Sequence, residues 1–387
     1  MNKFVTVSIL ILLLFSCMSE KSSIGVDAEN IIVVNETGLN IKRKASDIFS
    51  RIDILTLETT ENSLIGSIDK IVPVEDTFFL QDNKSNSIVL FNRSGNFLKR
   101  IWRQGRGPGE YIKLDDFTIT RTGTIIILDG QSRKLIFLDK EGTYLTQQEL
   151  PIYVDALECI NDSLIVFNGS SIGDRVILWD IMNEKIIVSY IKYDRKYSSR
   201  IIKPLIKYGD NIYFQRANSS IIHNMTEKRL EEKWFINFGK RNINLEKMIL
   251  IPQFGGFYVN PPSTTTIHEF IETDKYISLN FQCEEMDEYP YYIFNSKSTD
   301  KQIFLNYNHY IDDLIFHKAP PNAVTATDSG EFVAWTLPHS FRENLTSYDP
   351  KNLKGDELDR WNDIQRQMEK INDFDNPILL IFTLKDF

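Results

Sequence analysis

The chain is poor in the residues from which most catalytic signatures are built. It has three cysteines and five histidines in 387 residues. No CxxC pair and no cysteine–histidine cluster occurs, so the ligand spacing of a zinc site is missing. His223, His268, His309, His317 and His339 are scattered, with no HExxH among them, and no G-x-S-x-G nucleophile turn is present. The glycine-rich stretch RQGRGPGEY, residues 103–111, lacks the Gly-Lys-Ser/Thr that opens a phosphate-binding helix. The apolar run at residues 4–15 is too short to span a bilayer. Positive charge is in deficit as well: 44 Lys and Arg against 53 Asp and Glu leave a net charge of −9. That balance argues against nucleic acid as a partner, because phosphate binding needs clustered cations.

What is present is a large folded core, with 42% apolar and 12% aromatic residues. Most of it reads as short strands broken by turn residues, and the strands repeat. SIVLFNRSGNFLKRI and KLIFLDKEGTYLTQQ share a strand, an Asn or Asp, two residues, a Gly and a second strand. Asn92 and Asp139 are 47 residues apart, as are Gly95 and Gly142. The strands before them, TFFLQD and TIIILD, keep the same offset. Looser copies of the hairpin follow at Asp180, Asn224 and Asn295. Each hairpin has one strand before it and a less regular strand before that. Four strands in a unit of about 40–50 residues are the signature of propeller blades.

A sixth unit supplies NAVTAT, EFVAWT and PILLIFTL, and then the chain stops. An orphan strand, RIDILTLE at residues 51–58, precedes the first unit and can complete the last. The expected fold is therefore all-β, a six-bladed β-propeller over residues 51–387 closed by an N-terminal strand, which removes an exposed sheet edge. Two features interrupt the repeat. Residues 239–264 form a long link between blades four and five, and such links are binding elements or poorly ordered. Within residues 353–373, Leu358, Trp361, Ile364, Met368 and Ile371 recur at helical spacing, which predicts an inserted amphipathic helix packed on the propeller.

The N-terminus reads as a secretion signal. Lys3 precedes the apolar run, and LFSC ends it at Cys17, which matches the bacterial lipoprotein box. Residues 1–16 are the expected signal peptide, Cys17 the lipid attachment site, and residues 17–50 a tether and lead-in. Removal of residues 1–16 takes the net charge to −10, since they carry Lys3 and no acid. Met18 stands where an aspartate would retain the protein in the inner membrane, so the resemblance implies the outer membrane. SLIGSIDKI, GRGPGEY and the ending DFDNPILLIFTLKDF resemble NHL-like six-bladed β-propeller lipoproteins of bacterial envelopes. The resemblance implies a fold and a location, and no general activity. Cys159 and Cys283 read as buried free thiols.

In the propeller register, GRGPGEY links the outer strand of blade one to the inner strand of blade two, so it reads as a turn whose glycines admit unusual backbone angles. Such links cross a face where the channel opens. Arg106, Glu110 and Tyr111, with Phe254 and Tyr258 of the long link, are the expected channel-mouth ligand contacts. Acids start several inner strands: Asp69, Asp115, Asp116, Asp155 and Glu269. Calcium needs six to eight oxygen ligands, so a metal site would require several of these acids to converge. His268 beside Glu269 is the one pair expected near the channel. The expected role is a lipid-anchored envelope module that binds a protein or small molecule without a cofactor. The alternative is a calcium-type hydrolase or lyase acting in the channel on Asp69, Asp116, Asp155 and Glu269.

Overall fold

The computed structural model describes residues 30–35, 38–169, 173–194, 196, 204–251, 257–287 and 289–387. Strands dominate, and many are buried on both faces. Ile125–Asp129 and Lys134–Leu138 are buried at every position, although water-facing strands would alternate. Burial on both sides means that each sheet is covered by a neighbour on either face. The sheets form a ring of six blades.

Blade 1 runs from Lys70–Val74 to Phe97–Ile101, blade 2 from Asp116–Ile119 to Tyr144–Glu149, and blade 3 from Val154–Asn161 to Lys185–Lys192. Blade 4 spans Leu205–Tyr208 to Leu230–Asn237, and blade 5 spans Thr266–Glu272 to Gln302–Asn306. Blade 6 takes Thr325–Ala326, Phe332–Thr336 and Ile378–Leu384 from the C-terminus. Its outer strand is Phe49–Thr56, antiparallel to Ile378–Leu384, with Leu380 opposite Ile54. The ring therefore closes as the sequence predicts. Six apolar clusters fill the six seams between blades, and Leu379 and Ile381 join Phe78, Val89 and Phe91 at the seam of blades 6 and 1.

The turn spacing has a local cause. Asn92 and Asp139 open the last hairpins of blades 1 and 2, and Gly95 and Gly142 donate their amides to the carbonyls of those residues. Both glycines have positive φ, +81° and +74°. A Cβ on Gly95 would lie 2.1 Å from the Thr56 carbonyl oxygen, because this turn abuts the closing strand.

Of the tether and lead-in expected over residues 17–50, residues 30–35 and 38–50 dock on the propeller, and residues 17–29, 36 and 37 lie outside the described residues. Asn30–Val33 adds a fifth strand to blade 4, parallel to its outer strand, with Ile32 buried in the seam of blades 4 and 5. Gly38 then passes so close to blade 5 that a Cβ would sit 2.6 Å from the Phe304 ring. Arg43–Lys44 pairs with Tyr310–Ile311 beyond blade 5, and the short helix α1, Ala45–Ile48, delivers the chain to blade 6. Asp313 holds α1, accepting from the Ser46 amide at 2.8 Å and the Ser46 hydroxyl at 2.6 Å. The apolar alternation of NIIVV drives this docking, since Ile32 and Val34 face the core. The helical insertion of blade 6 is also larger than expected. It holds α2, Pro338–Thr346, as well as α3, Asp356–Met368, and Phe341, Leu345, Ile364 and Met368 pack into the seam of blades 5 and 6.

Two predictions follow from this closure. Asn376, in the DNP ending, accepts from the Ile65 amide at 2.7 Å and donates to the carbonyls of Glu58 and Ser63. Asn376→Ala strips these buried groups of their partner and should cost about 2–4 kcal/mol in urea unfolding. A loss below 1 kcal/mol would remove Asn376 as a closure pin. The second concerns Asp312, fully buried beside Tyr310, whose carboxyl is pushed up to about 6 by burial although the amides of Ile315 and Leu314 donate to it. The folded protein thus keeps a proton that the unfolded chain has lost. The stability this contributes is complete below the ordinary value of 3.8 and is lost as pH rises through about 6. The stability of the parent relative to Asp312→Asn should therefore fall by on the order of 3 kcal/mol between pH 4 and 7.5. A pH-independent difference would refute it.

Candidate functional site

GRGPGEY is a turn at the rim between blades 1 and 2. Arg103 and Tyr111 hold its two ends together, with the Tyr111 amide donating to the Arg103 carbonyl at 2.9 Å and the Gly105 amide to the Tyr111 carbonyl at 3.0 Å. Tyr111 is fully buried, and its hydroxyl donates to the Asn86 carbonyl at 2.9 Å. Glu110 accepts from the Gly107 amide at 2.8 Å, and Gln147, on the outer strand of blade 2, accepts from the Gly109 amide at 3.0 Å. Arg106 is exposed. The close approaches are at Gly105, where a Cβ would meet the Glu110 carboxylate at 2.0 Å, and at Gly109, where it would meet the Tyr144 ring at 2.4 Å with φ at +73°. Tyr111 is therefore a core residue and Glu110 a turn brace.

The channel holds a cavity of about 320 Å³, lined by the inner strands of blades 1, 2, 3, 4 and 6. It reaches the face opposite GRGPGEY, at the turns after the inner strands, where Glu75, Arg121, Asp210 and Asp328 stand. Neither residues 103–111 nor the described part of residues 239–264 lines it. The long link instead makes two short 3-10 turns and a hairpin, Ile249–Ile251 with Phe257–Val259. Phe254 and Cys17 lie outside the described residues, as does the side chain of Tyr258.

A buried ion cluster lies in the channel wall. Lys70 of blade 1 pairs with Asp116 of blade 2 at 2.9 Å and Glu158 of blade 3 at 2.8 Å, and donates to the Phe117 carbonyl at 2.8 Å. Burial opposes its charge, but Asp116 and Glu158 outweigh burial and hold the ammonium above the ordinary lysine range. Thr118 donates to Glu158 at 2.6 Å, and the Leu157 amide donates to Asp116 at 2.9 Å. The carboxylates are thus consumed by one lysine and by the strands of three blades.

The other expected metal acids do not join them. Asp69 accepts from the Ser67 hydroxyl and the Asn83 amide. Asp155 accepts from Asn168, and burial pushes its carboxyl up. Asp155 and Asp115 line a separate cavity between blades 2 and 3. Glu269 lies in blade 5 beside Tyr292, whose phenol is pushed up to about 12 by burial and then by that carboxylate. His268 is lowered by burial. Among the described residues no three of His, Cys, Asp and Glu gather to hold a metal ion. The acids at the starts of inner strands fail to converge because each is used as a local turn, strand or ion-pair partner. Cys159 and Cys283 are free and buried, as expected.

Lys70, Thr118, Glu158 and Lys207 were not singled out by motif. Their signal is a polar residue inside an otherwise apolar inner strand, as in DKIVPV and VDALECIN, and it becomes readable once blade register is known.

Lys70→Met would leave Asp116 and Glu158 buried without a cation and should cost about 3–5 kcal/mol. Gly109→Ala should cost about 1–3 kcal/mol from its backbone angle and the Tyr144 contact, while Arg106→Ala should lie within about 0.5 kcal/mol of the parent. Chemical denaturation of the three variants checks the ranking. Equal losses at Arg106 and Gly109 would contradict this account of the turn.

No curated protein is similar enough in sequence to count as a relative. Among solved structures, a Bacteroides fragilis protein assigned as exported superposes with a TM-score of 0.71 at 18% identity, covering 92% of this chain and all of that one. A member of the DUF4221 family from Bacteroides vulgatus has a TM-score of 0.49 at 10% identity, covering 88% of this chain and 98% of its own. Virginiamycin B lyase from Staphylococcus aureus has a TM-score of 0.38 at 14% identity, covering 66% and 88%. The first likeness supports the fold, and the other two are too remote to add to it. A family model described as a domain of unknown function, DUF4934, matches residues 29–383, and the chain belongs to that family.

Proposed function

We propose that the chain is a lipid-anchored envelope module that binds its ligand in the channel cavity. The observation that carries this reading is the cavity itself, walled by five blades, in whose wall Lys70 already pairs with Asp116 and Glu158. A site organised for metal-assisted hydrolysis or elimination would need carboxylates free and close together. Here Asp116 is bound to Lys70, and Asp69, Asp155 and Glu269 serve other partners or other blades. The geometry therefore favours the binding role over the calcium-type hydrolase or lyase.

The lipoprotein box at Cys17, with Met18 after it, supports an outer-membrane anchor, and the likeness to an exported Bacteroides protein agrees with an envelope location. The NHL-like lipoprotein resemblance belongs to the same proposal. Among the described residues no helix is long and apolar enough to cross a membrane. Attachment in this reading is through the lipid, and the partner is a small molecule or a protein segment that enters the channel.

Two measurements test the proposal. Cys17→Ser should move the protein from the membrane to the soluble fraction with its melting temperature unchanged, and retention at the membrane would overturn the anchor. Calcium at 100 times a true dissociation constant would stabilise a metal-binding propeller by about 2.7 kcal/mol. No calcium-dependent rise in melting temperature is expected. A rise that Asp116→Asn or Asp155→Asn removes would restore the metal-dependent enzyme.

A further inference from the structure

Two lysines line the channel cavity, and their surroundings differ. Lys70 has two carboxylates within 3 Å. Lys207, on the inner strand of blade 4, is half-buried and meets no carboxylate at ion-pair distance among the described residues. Its ammonium donates instead to the Cys159 sulfur at 3.1 Å. A thiol is a weak acceptor, so this contact compensates little of the desolvation that the ammonium suffers. Among the described residues, the cavity thus presents one lysine without a carboxylate partner.

The rest of the wall narrows what that anion can be. The cavity wall includes the apolar residues Ile71, Val72, Ile119, Leu205 and Val324. Glu158 is engaged by Lys70 and Thr118. At the mouth Asp210 is paired with Arg121, and Glu75 and Asp328 stand exposed, where they disfavour entry of a multiply charged anion. A volume of about 320 Å³ sits at the lower end of the range for small-molecule sites.

We propose that the cavity binds a small organic monoanion, its carboxylate on Lys207 and its apolar body against Ile71, Ile119, Leu205 and Val324. This rests on the reading of the channel as the ligand site and names the chemistry of what it takes. Lys207 supplies a charge-assisted hydrogen bond in a partly desolvated place, where such bonds are strongest.

The test uses three matched probes, benzoate, benzamide and benzylamine, which share a ring and differ in head-group charge. Dissociation constants are measured by calorimetry on the full-length protein and on Lys207→Met, Lys207→Arg and Thr325→Trp, each checked for an unchanged melting temperature. Benzoate should bind at least tenfold more tightly than benzamide, and benzylamine more weakly than either. Lys207→Met should bring benzoate down to the benzamide level, while Lys207→Arg retains the preference. Thr325→Trp, which fills the cavity from blade 6, should abolish binding of all three. Should Lys207→Met fail to fold, loss of benzoate binding in Lys207→Gln decides the point. Equal affinity for benzoate and benzamide, benzoate binding that survives loss of the lysine charge, or no benzoate binding at all would each overturn the monoanion. Binding that persists in Thr325→Trp would instead overturn the channel as the site.

Discussion

The molecule depends on one pairing, that of Phe49–Thr56 with Ile378–Leu384. A blade buried on both faces has no stable surface of its own, so a row of six leaves two apolar faces and two open edges at its ends. Joining the ends converts both into a seam like the others. Residues as far apart as Phe78 and Leu379 thereby enter one cluster. Asn376 and Gly95 belong to the same junction, one satisfying the backbone at residues 58–65 and the other letting the turn of blade 1 lie against Thr56. Because every seam is a separate apolar cluster, stability is spread around the ring and closure makes it cooperative.

The half of the ring that includes blades 4, 5 and 6 carries additional packed segments. The N-terminal segment crosses it from Asn30–Val33 on blade 4 to α1 at blade 6, and α2 and α3 pack on it from the other end of the chain. The seam of blades 5 and 6 consequently has the largest apolar cluster, with Phe49, Phe294, Phe332 and Phe382 stacked edge to face or face to face. Among the described residues blades 1 to 3 have no such strap, and they are tied to one another in the channel wall. Lys70, Asp116 and Glu158 join one residue from each of them. A buried ion triad is a poor source of net stability but a strict test of register, because a blade shifted by one residue would strand a charge.

That triad also sets the charge pattern of the channel wall. It engages two of the carboxylates that a metal would need, and among the described residues Lys207 lines the same cavity without a carboxylate at ion-pair distance.

The hairpin repeat, the orphan strand and the apolar stripe of α3 were legible in the sequence because each depends on short-range spacing. Asn92 and Gly95, or Leu358 and Trp361, need only their own turn to be recognised. Residues 30–48 were not legible as part of the propeller, since their partners lie some 200 residues away on blade 4 and beyond on blade 5. The acids at the starts of inner strands could be found by motif, but their roles could not. Asp116 and Asp155 look alike in the sequence, yet one meets a lysine from a neighbouring blade and the other an asparagine in its own. Tyr111 read as a mouth residue from its place in a glycine-rich link and is a core residue, because the link folds back on the outer strand of blade 2. Local spacing determined the blades and their number. Which face opens and which charges pair are set by contacts between blades, where sequence distance and spatial distance no longer correspond.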